Sequence, residues 1–142
     1  MEHTSITERA ERLLHDVAST LMTPTAGECL VCFVARQLDE FGCNGTHRFA
    51  SHYRDRVAPR ATALLARLSA MGACCCDCEM FMNTYEPARR LWTQAYESVD
   101  SDGYGAWADA QPPDTMPPCA TIRQGSTKPC ANWVRVSRWR DR

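Results

Sequence analysis

Nine cysteines stand among the 142 residues, and four of them crowd into Cys74-Cys75-Cys76-Asp77-Cys78-Glu79. Upstream lies the pair Cys29-Leu30-Val31-Cys32, with Cys43 between the two clusters. Thiols at this density in a chain this short hold a metal, form disulfides or do redox chemistry, and that choice constrains the fold more than any other feature. The first residues, Met1-Glu2-His3-Thr4-Ser5, lack the basic and apolar regions of a secretion signal. No apolar run is long enough to span a membrane. The expectation is a cytoplasmic protein without membrane association, where thiols stay reduced and clustered cysteines favour metal over disulfides.

The hydrophobic pattern predicts helices over the first hundred residues. Ser5-x-x-Glu8 has capping-box spacing, and Ile6, Ala10, Leu13, Leu14, Val17, Ala18 and Leu21 repeat as one face of a helix over 6–22. A second helix runs from near Cys29 to Phe41, apolar nearly all round in its first turns and stopped by Gly42. Thr46 is the expected cap of a third over 47–57, and Pro59 opens a fourth that carries Ala61, Leu64, Leu65, Leu68 and Met71. Asp77 suits the cap of a short helix from Cys78 to Tyr85, and Pro87 starts another with Leu91, Trp92, Ala95 and Tyr96 on one side. Beyond Asp100, Gly103, Gly105, Pro112-Pro113, Pro117-Pro118 and Gly125 break the pattern, and only the run from Trp133 to Trp139 alternates like a strand. The predicted fold class is mainly α. It is a small helical, cysteine-rich domain over 1–100 clamped by a metal site, with a loop-rich, basic extension over 101–142 that carries a short strand.

Cys29 and Cys32 fall on one side of a helical first turn, where backbone amides and the helix dipole favour thiolates. Cys76-x-Cys78 precedes the next predicted helix, so its sulfurs can converge from the other side. Two such pairs would close a four-thiolate site, which suits Zn2+, and the metal would supply roughly 10 kcal/mol of folding free energy. Cu(I) also suits sulfur at this density and ranks below zinc. Cys43 and His47 form a Cys-x-x-x-His pair that competes for a place in the ligand set. Cys74 and Cys75 are spare thiols, part of a second metal site, or a redox-sensitive pair. Cys119 and Cys130 could pair with each other or ligate. A thioredoxin-like role for Cys29-x-x-Cys32 lacks the strand that such a motif follows.

Charge is uneven although the net charge is only −1. Six acids lie between Thr84 and Pro118, and six basic residues against Asp141 lie between Cys119 and Arg142. Trp133, Arg135, Arg138, Trp139 and Arg140 combine guanidinium groups with flat rings, a pairing that suits phosphate contact and base stacking. The plainer reading is a strand that buries its tryptophans on the helical domain.

Three separated motifs occur in order: the Cys29-x-x-Cys32 helix, Phe41-Gly42-Cys43-Asn44-Gly45-Thr46-His47-Arg48, and Gly72 before Cys76-Asp77-Cys78-Glu79 with Asn83. Over residues 29–84 the chain resembles a bacterial, mostly actinobacterial, domain family of unknown function with CxxC, FGC(D/N)xTxR and CDCE motifs. The resemblance implies a small helical domain in which Cys32, Cys43, Cys76 and Cys78 ligate metal, with Cys29 as a competing fourth. Arg48, Asp77 and Glu79 then support the ligands. His47, Cys74 and Cys75 depart from that pattern.

No carboxylate pair, phosphate loop, dinucleotide loop or serine triad signature stands out, which points away from an enzyme. The leading expectation is a zinc-binding, non-enzymatic interaction or regulatory protein with a protein partner. The alternatives are a zinc-sensitive RNA- or ribosome-associated factor using the Arg/Trp terminus, and a thiol redox protein.

Overall fold

The computed structural model describes residues 6–136, with the backbone alone over 15–21. Ser5, Arg138, Trp139 and Arg140 lie outside the described residues. Four α-helices come first: α1 (Ile6–Leu21), α2 (Leu30–Phe41), α3 (Arg48–Val57) and α4 (Leu64–Ala70). A wide π turn (Met80–Thr84) leads into strand β1 (Tyr85–Pro87), and a 3-10 turn (Arg89–Leu91) follows. Strands β2 (Tyr96–Val99), β3 (Gly105–Ala108) and β4 (Trp133–Arg135) complete the described elements. No helix among them is long and apolar enough to cross a membrane.

The core is built on α2. Leu30, Val31, Phe33 and Val34 are fully buried, each contributing about 1.5–3 kcal/mol by leaving water. Gly42 ends the helix at φ +74°, a left-handed conformation that costs glycine no steric penalty, and its N–H closes onto the Leu38 carbonyl at 2.8 Å. Helix α3 packs against α2 through Phe49, Ala50 and Tyr53. The Tyr53 ring lies 5.6 Å from Phe33, and its hydroxyl donates to the Glu28 carbonyl at 2.8 Å. Leu64 and Leu68 of α4 close the far side. The predicted stripe on α1 does not pack in its described part, where Ile6, Leu13 and Leu14 are all exposed. Helical periodicity reports an amphipathic face, not what covers it.

The fold is mixed α/β, which corrects the mainly helical expectation. Two antiparallel two-stranded sheets are present: β1 pairs with β4, and β2 pairs with β3. No helix starts at Pro87, because Pro87 sits in β1 opposite Trp133. The chain then turns tightly. The Trp92 indole donates back to the Pro87 carbonyl at 2.8 Å, and the Arg89 guanidinium stacks 3.9 Å from the Trp92 ring. Tyr96 falls in the β2–β3 hairpin, whose turn is closed by Asp100 accepting the Asp102 and Tyr104 N–H groups at 3.0 and 2.9 Å.

The C-terminal segment is part of the same core. Cys130 and Trp133 are buried in it, and Met116, Cys119 and Ile122 pack against it. Arg90 fastens the segment by donating to the Ala131 carbonyl and the Asn132 side chain, both at 2.7 Å.

Asp77 is also placed differently from expectation. It is only 1% exposed, and its two carboxylate oxygens accept the N–H groups of Phe49 at 2.9 Å and Ala50 at 3.2 Å. It therefore caps α3 from 28 residues away and not a helix of its own. His47, at the cap position itself, makes no side-chain cap hydrogen bond. Replacing Asp77 by Ala strips two buried donors and is expected to cost about 1–3 kcal/mol in urea unfolding. Asp77→Asn, which keeps one acceptor, should lose less. Burial, offset in part by those hydrogen bonds, raises the Asp77 pKa above 3.8, so the folded chain binds its proton more tightly than the unfolded one. Stability from this group is fully present below 3.8 and falls as the pH rises through the folded-state value. Asp77→Asn should remove that slope.

Candidate metal centre

Cys29 occupies the N-cap of α2, and its sulfur accepts the Cys32 N–H at 3.3 Å. The thiol thus does the work that a serine or aspartate oxygen usually does at this position. Cys32, one turn on, faces the same way. The approach to Cys29 is held from behind by Glu28, whose carboxylate is gripped by both Nε and a terminal nitrogen of Arg36 at 3.1 and 2.9 Å.

Against this turn lies the C-terminal segment. The Gly27 carbonyl accepts the Ile122 N–H at 3.0 Å, and the Cys29 N–H donates to the Cys119 sulfur at 3.3 Å. Cys130 approaches from the other side, its sulfur 3.7 Å from that of Cys32. The four sulfurs of Cys29, Cys32, Cys119 and Cys130 all lie within 4.8 Å of one another, and all four are free thiols. A disulfide would need about 2.05 Å between sulfurs. Metal–sulfur bonds of about 2.3 Å in a tetrahedron set the sulfurs about 3.8 Å apart. The Cys32–Cys130 spacing belongs to the second case, and the group could hold a metal ion.

The electrostatics fit the same use. Four clustered thiolates need donors aimed at sulfur, and here they come from the backbone and one indole. Cys29 receives the N–H of Cys32, Cys119 receives that of Cys29, and the Trp133 indole donates to Cys32 at 3.2 Å. The hydrogen bond from the Cys32 thiol pulls the Cys29 pKa down to about 5 against the effect of burial. That bond and burial together hold Cys32 well above 9.0, and burial raises Cys119. Of Cys29, Cys32 and Cys119, Cys29 is the thiol that ionises most readily.

The structure divides the cysteines predicted to act together. Cys29 and Cys32 face Cys119 and Cys130, whereas Cys43, Cys76 and Cys78 lie on two loops joined by the Asp77 N–H to the Thr46 carbonyl at 3.1 Å, beyond the other end of α2. Cys74 and Cys75 are exposed and disulfide-bonded to each other, and both lie close to Glu79. His47 is turned to the Ala73 carbonyl at 2.9 Å. At the basic end, Trp133 is 7% exposed, with Phe81 edge-on at 5.3 Å, so its faces are not open to a base. Arg135 is exposed. Cys119 and Cys130 were visible as candidates, but nothing in their spacing joins them to Cys29 and Cys32. The join depends on a chain crossing at Gly27.

That crossing is tight. Gly27 has φ +78°, and a Cβ there would meet the Thr121 side chain at 3.3 Å. Gly27→Ala should therefore cost about 1–2 kcal/mol from backbone conformation alone. It should also expose Cys119 to alkylation faster than wild type. An unchanged unfolding midpoint with unchanged Cys119 reactivity would mean that the crossing does not brace the cluster.

No curated protein and no solved structure matches the chain. Cys32, Cys43 and Cys74 to Cys78 lie inside the segment that a family model covers, while Cys29 stands one residue before it and Cys119 and Cys130 well after it. That segment, residues 30–83, matches the family described as "Protein of unknown function (DUF2695)".

Proposed function

We propose that this is a zinc-binding, non-enzymatic interaction or regulatory protein of the cytoplasm, held in its working shape by zinc on Cys29, Cys32, Cys119 and Cys130. The observation that carries the reading is the convergence of four free thiols from two distant parts of the chain, each part donating one N–H to a sulfur of the other, Cys29 to Cys119 and the Trp133 indole to Cys32. Four thiolates fill a tetrahedral shell and leave no position for a substrate, which favours a structural role over a catalytic one. Zinc is preferred to Cu(I) because a closed four-sulfur shell matches its tetrahedral habit.

The interaction part of the reading is supported by the β2–β3 hairpin, where Tyr96, Val99, Tyr104 and Trp107 are each at least 60% exposed. The register places Val99 and Trp107 on one face of the hairpin and Tyr96 and Tyr104 on the other, so a partner would take up one such pair. Binding of RNA or the ribosome has less support, since Trp133 is committed to the core and to Cys32. A thiol redox role draws on one observation of its own, the exposed Cys74–Cys75 disulfide.

Protein purified without added metal should carry zinc, and Cys119→Ser and Cys130→Ser should each lose one equivalent by native mass spectrometry. Because metal and fold are linked, chelation should cost on the order of 10 kcal/mol and melt the C-terminal segment first, seen as loss of Trp133 burial by fluorescence. Zinc content unaltered by both substitutions would contradict the proposal. Trp133→Phe keeps the ring but removes the N–H donor to Cys32, and should weaken zinc binding by about 10–100-fold. Loading near neutral pH should release at least two protons, because Cys32 and Cys119 are protonated in the apo cluster. Affinity should accordingly fall as the pH is lowered. Proton release measured at constant pH gives the count directly.

A further inference from the structure

We propose that Cys43, Cys76 and Cys78 form a second site for a thiophilic cation of the zinc class, with three thiolates and an exchangeable fourth ligand. The proposal does not rest on the four-thiol centre. Two loops build the site, one after α2 and one after α4. In the first, the Gly45 N–H donates to the Cys43 sulfur at 3.4 Å, while Asn44 braces the turn by accepting the Thr46 N–H at 3.0 Å. In the second, Cys76 and Cys78 flank Asp77, whose buried carboxylate is locked onto the start of α3.

The loops are fastened to each other before any metal is considered. The Asp77 N–H donates to the Thr46 carbonyl at 3.1 Å, and the His47 imidazole meets the Ala73 carbonyl at 2.9 Å. This clamp brings the Cys43 thiol close to the Cys76 and Cys78 thiols, near enough for each to shift the ionisation of the other. None of the three is in a disulfide. The Glu79 N–H is spent on the Cys76 carbonyl at 3.3 Å, which turns the chain back beside the Cys76 sulfur. Three neighbouring free thiols on two fastened loops offer the chemistry of the four-thiol centre, one sulfur short and less closely gathered.

The missing ligand defines the difference. A Glu79 carboxylate oxygen lies 3.7 Å from the Cys76 sulfur, near enough to complete the shell. Cys43 is exposed and Cys76 and Cys78 are half-buried, so water or an external thiol can compete for that place. Soft sulfur ligands select zinc or Cu(I) over the hard divalent cations. On binding, each thiol gives its proton to solvent as its sulfur–metal bond forms, with no change of oxidation state. The four-thiol centre would hold its metal permanently, and this one would exchange it.

The test is a titration of the reduced, metal-free full chain with Zn2+ alone, followed by native mass spectrometry. Two zinc ions per chain are expected, the second dissociating more readily under a competing chelator. Cys43→Ser, at an exposed position outside the helices, should reduce the count to one with unchanged circular dichroism, and Cys76→Ser should do the same. In wild type, zinc should shield Cys43, Cys76 and Cys78 from alkylation together. The double variant Cys74→Ser, Cys75→Ser should still bind two. A count unchanged by both Cys43→Ser and Cys76→Ser, or a single bound zinc that survives Cys43→Ser, overturns the proposal. A single zinc lost in Cys43→Ser but kept in Cys119→Ser would instead overturn the four-thiol reading and leave this one standing.

Discussion

The convergence of sulfur from both ends of the core is the constraint on which the rest of this structure depends. Cys29 and Cys32 belong to the first turn of α2, the most deeply buried helix. Cys119 and Cys130 belong to a segment with almost no regular structure between Gly103 and Trp133. Such a segment buries few apolar side chains and cannot meet its ordering entropy by packing alone. What it has is a set of polar tethers to the helical part: Ile122 to Gly27, Arg90 to Ala131 and Asn132, and the indole of Trp133 to Cys32. A single hydrogen bond is worth about 0.5–1.5 kcal/mol, so the tethers position the segment, and the metal–thiolate bonding proposed above would be large enough to hold it.

The second constraint is Asp77, a buried carboxylate between two cysteines. A buried carboxylate is costly unless its oxygens are hydrogen-bonded. Here they satisfy the otherwise unpartnered N–H groups at the start of α3. One residue thereby fixes the start of a helix and the conformation of the loop carrying Cys76 and Cys78. Capping at long range ties the loop to α3 as firmly as a local cap would tie a helix to its own first turn. The two cysteine groups are thus anchored to α2 and its neighbours by different means, the first through the α2 N-cap and the second through the α3 N-cap.

Much of the helical part was legible because helices declare themselves over several turns. The bounds of α2 and α3 follow from the apolar repeat and from Gly42, which stops α2 as expected. The family resemblance over residues 29–84 rests on three ordered motifs, and the family match covers 30–83. The strands were harder to see for a physical reason. Three or four residues carry too little alternation to reveal a period, and β1 finds its partner β4 far along the chain. Pro87 and Tyr96 read as helical from local spacing, but strand pairing at a distance outweighed it. The cysteine types pointed to metal, yet their partners were not legible. Cys29 and Cys32 were expected to meet Cys76 and Cys78 as two pairs converging before successive helices, whereas the crossing of Thr121 over Gly27 delivers Cys119 to them. Asp77 was recognisable as a cap, but which helix it caps is a tertiary fact.

The most direct test of this account is differential alkylation of the seven free thiols, read by peptide mass spectrometry before and after chelation. If one metal centre joins the two ends of the core, Cys29, Cys32, Cys119 and Cys130 will be shielded together and become reactive together when the metal is removed. If Cys119 and Cys130 react at the same rate with and without metal while Cys29 and Cys32 remain shielded, the two ends are not joined by a common centre, and the account is wrong.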